Sequence, residues 1–319
     1  MDTNAVFSWA YDSMLLIALL VLIGSVVVPK RIGRYAAAAG WVLFGLYWAL
    51  QTPFYFQHEH NVMYTVACLL ALPATLYAAF VLVRYGRESL MTLTRCAAIA
   101  SVFYFPFQYV PALNQWLIEA TANVTFAAVS ALGQPAARGF SLNGYDDIIV
   151  LHGQQVQIIL ACTAIQSMAI FVGVTGGPIL QAVGQSLGTA GGLRATVLHN
   201  WKRWLAGLAL AVPLIYALNL VRNVFVIVAF GNDWFQILPD VVAGWTGNPG
   251  PYTSFFWAHN VFAEGGSLVA LVLISYAVMS LMPELLTHLV DILHLVRPEN
   301  VRRMLKGEEV PAKPVPTVK

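Results

Sequence analysis

The sequence predicts an all-α membrane protein of about seven transmembrane helices, and three observations predict it. Only 10% of the 319 residues are charged while 59% are hydrophobic, whereas soluble domains carry roughly 25% charged residues. Mean hydropathy is +0.69, and runs long enough to cross a bilayer recur along the whole chain. Lys and Arg gather in alternate connections. Together these leave no room for a separate soluble domain.

The apolar runs fall near 9–29, 35–55, 62–83, 95–113, 160–183, 204–230 and 257–282. Lys30, Arg31 and Arg34 follow the first, and Arg84, Arg87 and Arg95 the third. Arg194, Lys202 and Arg203 follow the fifth, and Arg297, Arg302, Arg303 and Lys306 the seventh. The connections 56–61, 114–159 and 231–256 hold a single basic residue, Arg138. The positive-inside rule then places the N-terminus outside and the C-terminus inside. The first sixteen residues contain no Lys or Arg, so a retained helix is expected there rather than a cleaved signal peptide. Residues 1–283 read as one polytopic catalytic domain, and no internal repeat is visible.

Two outer segments are longer than connectors need to be, which favours a functional role. Segment 114–159 opens on an amphipathic stretch, Trp116 to Leu132, and continues to Ile148–Leu151, a His152-Gly153 turn and Val156–Ile159. Turn residues between β-branched runs predict a small hairpin, expected to lie over the bundle as an extracellular lid. Asn123-Val-Thr125 in the same segment is a glycosylation triplet. Segment 231–256 is rich in Gly, Pro, Trp and Tyr and lacks helical periodicity. Beyond it, 284–319 reads as a cytoplasmic interfacial helix with Leu285, Leu289, Ile292 and Leu293 on one face, then a disordered tail.

Cys68, Cys96 and Cys162 lie far apart with no CxxC spacing, so neither a disulfide framework nor a metal site is expected; no cofactor is implied either. Cys68 and Cys96 read as small apolar side chains. Cys162 stands in the run LACTAIQS, 160–167, at the outer start of the fifth helix, where first-turn N–H groups and the helix dipole favour a thiolate. Gln166 is expected one turn below it on the same face. Arg222 is the only charge between Trp204 and Phe230, flanked by Asn219 and Asn223. A charge inside a membrane needs a reason; the plain one is an arginine snorkelling to outer headgroups. His259 opens the seventh helix beside Asn260, with Glu264 a turn further. His58, His60 and His152 read as interfacial or as parts of the lid. Cys162, Arg222 and His259 arrive by separate reasoning at one depth on one side. A thiol, a guanidinium and an imidazole together suit nucleophilic acyl transfer.

In succession, the runs ACTAIQS at 161–167, NLVRN at 219–223 and AHN at 258–260 resemble the exosortase/archaeosortase family over about residues 60–282. The resemblance implies a cysteine transpeptidase-like membrane enzyme. It would cut a C-terminal signal (a PGF-type motif, a transmembrane helix and a basic tail) from surface proteins and join the new C-terminus to a membrane lipid. Cys162 matches the family's nucleophile and Arg222 its arginine. The third position is basic in the family, and several members carry arginine where this chain has His259. The Cys-Thr-Ala-Ile-Gln-Ser run departs from the Cys-Ser-Gly-x-Arg form of bacterial relatives, which favours the archaeal branch.

Other classes fare worse. A retinal protein needs a Schiff-base lysine in its last helix, and 257–282 has none. A transporter or channel would use Arg222 and Glu264 as pathway residues, yet the polar groups gather at one face rather than the midplane. Metal and aspartyl intramembrane proteases lack their HExxH and GxGD motifs here.

Overall fold

A computed structural model describes residues 3–186, 192–248 and 250–312, with side chains from residue 13 onward except at 182–186 and 192–200. The Arg194 side chain and the tail from Lys313 lie outside the described residues.

The helices follow the apolar runs, with their ends set by local chemistry. Helices α1 (Thr3–Val27) and α2 (Lys30–Leu50) are divided at Pro29, and α3 is short (Thr52–Gln57). Helix α4 (Val62–Tyr85) opens where the Asn61 side chain accepts from the Tyr64 amide, an N-cap. It ends at Gly86 with φ 62°, the left-handed C-terminal residue that glycine adopts at no steric cost. Helix α5 runs from Glu88 to Tyr109 rather than over 95–113, stopping short of Pro111, which opens α6 (Pro111–Ala131). Arg95 therefore lies within a helix and pairs with Glu88 at 2.7 Å.

The expected hairpin is present. Strands β2 (Ile148–Leu151) and β3 (Gln154–Gln157) pair antiparallel around the turn, and β1 (Ala137–Gly139) adds a third strand to β2. Helix α7 spans Ile165–Ser186 and α8 spans Gly192–Gly231. Segment 231–256 holds a helix after all, α9 (Pro239–Thr246), which eight residues are too few to announce by periodicity. The last long helix starts at Tyr252, not 257: α10 (Tyr252–Phe256), a π-helical stretch (Trp257–Ala263) and α11 (Glu264–Leu281) follow without a break. Helices α12 (Pro283–Leu295) and α13 (Pro298–Leu305) close the described chain. On α12 Leu285 and Leu295 are buried, while Leu289 and Leu293 stay exposed.

Among the described residues, four stretches are long and apolar enough to cross a membrane: Val62–Tyr85, Glu88–Tyr109, Trp201–Gly231 and Tyr252–Leu281. Ser13–Val27 and Ile165–Gln181 are shorter apolar helices.

The chain forms two compact units. The first comprises 1–102, 170–208 and 279–319. In it α1 packs on α2 and α2 on α4, and small residues permit the approach: a Cβ at Gly40 would meet the Leu22 side chain at 2.7 Å. Arg87 and Asp291 form a buried ion pair at 2.8 Å. The second unit comprises 103–169 and 209–278. Its core joins Ala122 and Val129 of α6, Ile149 and Leu151 of β2, Ile158, and Ile227 and Val228 of α8. The alternation of β2 puts Ile149 and Leu151 inward at 0% and 1% exposure. Gly231 lets Leu151 come close to α8, where a Cβ would sit 2.5 Å from the leucine side chain.

Candidate active site

Cys162 sits in a 3-10 turn, Leu160–Thr163, and not in the first turn of a helix as its sequence context suggests. Its amide donates to the Ile159 carbonyl at 2.8 Å. Ala164, at φ 61°, then separates the turn from α7. The free N–H groups of that helix are therefore those of Ile165 onward. A left-handed alanine costs roughly 1–2 kcal/mol, so neighbouring contacts have to hold the turn. Thr163 donates to the Leu160 carbonyl at 2.7 Å. More telling is α8: the side-chain amides of Asn219 and Asn223 both donate to the Cys162 carbonyl, at 2.6 and 2.9 Å. Residues i and i+4 share a helical face, which is how two asparagines reach one oxygen.

Cys162 is half-buried and packs against the core that includes Ile149 and Ile158. Cys68 and Cys96 are buried, in keeping with their reading as packing residues. Gln166 does not share a helical face with Cys162, because Ala164 breaks the register. Its amide instead approaches the Tyr104 hydroxyl at 3.5 Å, a partner that sequence spacing gave no means of finding.

Arg222 projects from the same turn of α8 as the two asparagines and reaches His259 Nε2 at 3.3 Å. His259 Nδ1 in turn meets Asn260 Oδ1 at 2.7 Å. Arginine only donates, so Nε2 is the acceptor, and Nδ1 carries the hydrogen that Asn260 receives. Phe255, four residues earlier, stacks on the imidazole at 5.0 Å between centroids and 12° between planes. His259 and Asn260 both fall within the π-helical stretch, a distortion frequent at functional sites. The turn before it, α10, is tied back to α8 through Ser254, whose buried hydroxyl donates to the Ala229 carbonyl at 2.8 Å. His152, at the hairpin turn, contacts the Gly231 carbonyl at 3.1 Å.

Two groupings result: Cys162 with Asn219 and Asn223, and Arg222 with His259 and Asn260. A single turn of α8, 219–223, joins them. These groupings lie in a mostly helical protein with stretches long and apolar enough to cross a membrane, which makes it a membrane protein of the multi-pass class. The chain belongs to the family described as transmembrane exosortase, whose pattern it matches over residues 8–179. It is 32% identical over 282 residues to archaeosortase A of Haloferax volcanii, covering 84% of this chain and 86% of that one. To archaeosortase A of Natronomonas pharaonis it is 31% identical over 274 residues, covering 82% and 80%. No solved structure matches the chain. Family membership makes it a multi-pass, sortase-like processing enzyme of the membrane.

Proposed function

We propose that this protein is a thiol peptidase and transpeptidase that processes the C-termini of cell-surface proteins. Its substrates are precursors ending in a PGF-type motif, a transmembrane helix and a basic tail. The chain crosses the cell membrane seven times, with its site at the extracellular face and the three-stranded sheet as a lid. The Cys162 thiolate attacks the scissile carbonyl carbon; a C–S bond forms and negative charge collects on the oxygen. The Arg222 guanidinium balances that charge as an oxyanion donor. The C–N bond then breaks, the leaving amine takes up a proton, and a thioester remains. A nucleophilic oxygen, of a membrane lipid in the transfer reaction or of water in hydrolysis, attacks the thioester and restores the thiol.

The hydrogen bonds suggest a particular part for His259. Its Nε2 is engaged by Arg222, so it orients the guanidinium first and serves proton transfer only when that contact is released. Asn260 fixes the tautomer, while Asn219 and Asn223 fix the backbone of the nucleophile.

The observation that carries this reading is the α8 turn that holds the Cys162 carbonyl with two side chains and His259 with a third. The test is incubation of the purified protein, in lipid, with a tagged peptide bearing a PGF-type signal and its membrane helix. Cleavage near the motif is expected, and none with Cys162→Ala. An intact peptide after incubation with folded wild-type protein would reject this substrate class.

A further inference from the structure

The first unit carries a groove that the acyl-transfer chemistry does not use. About 780 Å³ in volume, it runs between α2 and α4 and is lined by Ala38, Ala39 and Val42 on one side and Ala79, Phe80 and Val83 on the other. Arg34, Tyr35 and Arg84 complete the lining. The volume falls within the roughly 300–1,000 Å³ of small-molecule sites. The lining divides by chemistry: alanines and other apolar side chains make the walls, and two guanidiniums supply the charge.

Both arginines lack a counter-charge: among the described residues neither makes an ion pair. Arg84 is exposed in the last turn of α4. Arg34 donates through one terminal nitrogen to the Tyr35 hydroxyl at 2.9 Å, and its guanidinium lies 4.8 Å from that ring's centre. Its Nε is buried and has no hydrogen-bond partner. A buried N–H left unbonded is costly and calls for an acceptor. An acceptor that also neutralises two arginines and extends an apolar tail along alanine walls is an anionic lipid.

We propose that the α2–α4 groove binds an anionic membrane phospholipid, its phosphate between Arg34 and Arg84 and one chain along Ala38, Ala39, Ala79 and Val83. Basic pockets between membrane helices hold headgroups in this way. The site is separate from the lipid acceptor of the proposed reaction and stands whether or not that reading holds.

Native mass spectrometry of the full-length protein in detergent tests it, with titrations of phosphatidylglycerol and of phosphatidylcholine carrying the same chains. Phosphatidylglycerol should bind more tightly. Arg34→Gln/Arg84→Gln should weaken it roughly 30-fold, the equivalent of about 1 kcal/mol for each basic residue near an anionic headgroup. Ala39→Trp, at an exposed wall position, should reduce binding with both arginines in place. Arg84→Gln alone should give a partial loss, and it serves if the double variant does not fold. Lys30→Gln/Arg31→Gln, outside the lining, should leave binding unchanged. Equal binding of the two lipids overturns the proposal, as does an equal loss in the Lys30/Arg31 variant or full displacement by inorganic phosphate.

Discussion

Arg87 is buried and Arg222 half-buried, and their surroundings differ in kind. Arg87 sets its Nε and one terminal nitrogen against both oxygens of Asp291, at 3.0 and 2.8 Å. Ser89 donates to the same carboxylate at 2.6 Å, and the three residues are 9%, 6% and 4% exposed. The charge is cancelled within a buried, bidentate ion pair. Arg222 has only the ring nitrogen of His259 as a hydrogen-bond partner among the described residues. An imidazole accepting at Nε2 orients the guanidinium without neutralising it. The first arrangement is scaffold; the second leaves a guanidinium without a counter-charge among the described residues, on the α8 turn whose asparagines hold the Cys162 carbonyl. The same contrast separates the cysteines: Cys96 is pressed by the backbone at Gly173 and by Gly177, while Cys162 lies outside any α-helix and is held by its carbonyl.

This contrast is easiest to break at Asp291. Asp291→Ala strands a buried guanidinium, and removing one partner of such a pair costs about 3–5 kcal/mol. Thermal unfolding in detergent should show the loss; a variant as stable as wild type would make Arg87 no scaffold. Arg222→Lys should do the reverse. It keeps the charge but not the planar fork, and loss of one oxyanion donor slows turnover by about 10²–10³-fold. Processing rates should fall on that scale while the melting temperature holds.

Next in size, Asn219→Ala/Asn223→Ala releases the Cys162 carbonyl. Misplacing a nucleophile by about 1 Å costs on the order of 10²-fold, so slower processing is expected with a thiol that still reacts with small alkylating agents. Unchanged turnover would deny the asparagines any positioning part. The smallest effect concerns His259. If it chiefly orients Arg222, His259→Arg should remain within about tenfold of wild type, about 1.4 kcal/mol, and His259→Ala should fall further. Collapse of His259→Arg alongside His259→Ala would instead make proton transfer its main task.

The helices were legible from apolar composition, but their ends were less so: the run near 95–113 passes through Pro111, where the structure ends one helix and begins another. The hairpin was legible because β-branched runs flank His152-Gly153. Strand β1 was not, since Ala137, Arg138 and Gly139 carry no strand preference and pair only because β2 is beside them. The two distortions that shape the site were also hidden. Alanine seldom adopts positive φ, so nothing in the run LACTAIQS announces the break at Ala164. The π-helical stretch depends on hydrogen bonds of the folded helix, and Trp257–Ala263 contains no Gly or Pro to signal it. Residue identities thus singled out Cys162, Arg222 and His259 with Asn219 and Asn223 beside them, whereas the convergence of the two asparagines on one carbonyl, and Phe255 on the imidazole, required the backbone.

In the proposed reaction substrate acylates the Cys162 sulfur, and mass spectrometry of the intact protein can detect that adduct. Mixed with a tagged signal peptide and quenched in acid, wild type should gain the mass of the N-terminal fragment. That mass should map to Cys162 and disappear on treatment with neutral hydroxylamine, as a thioester does. Cleavage that proceeds with no such adduct, and continues in Cys162→Ala, would contradict the account.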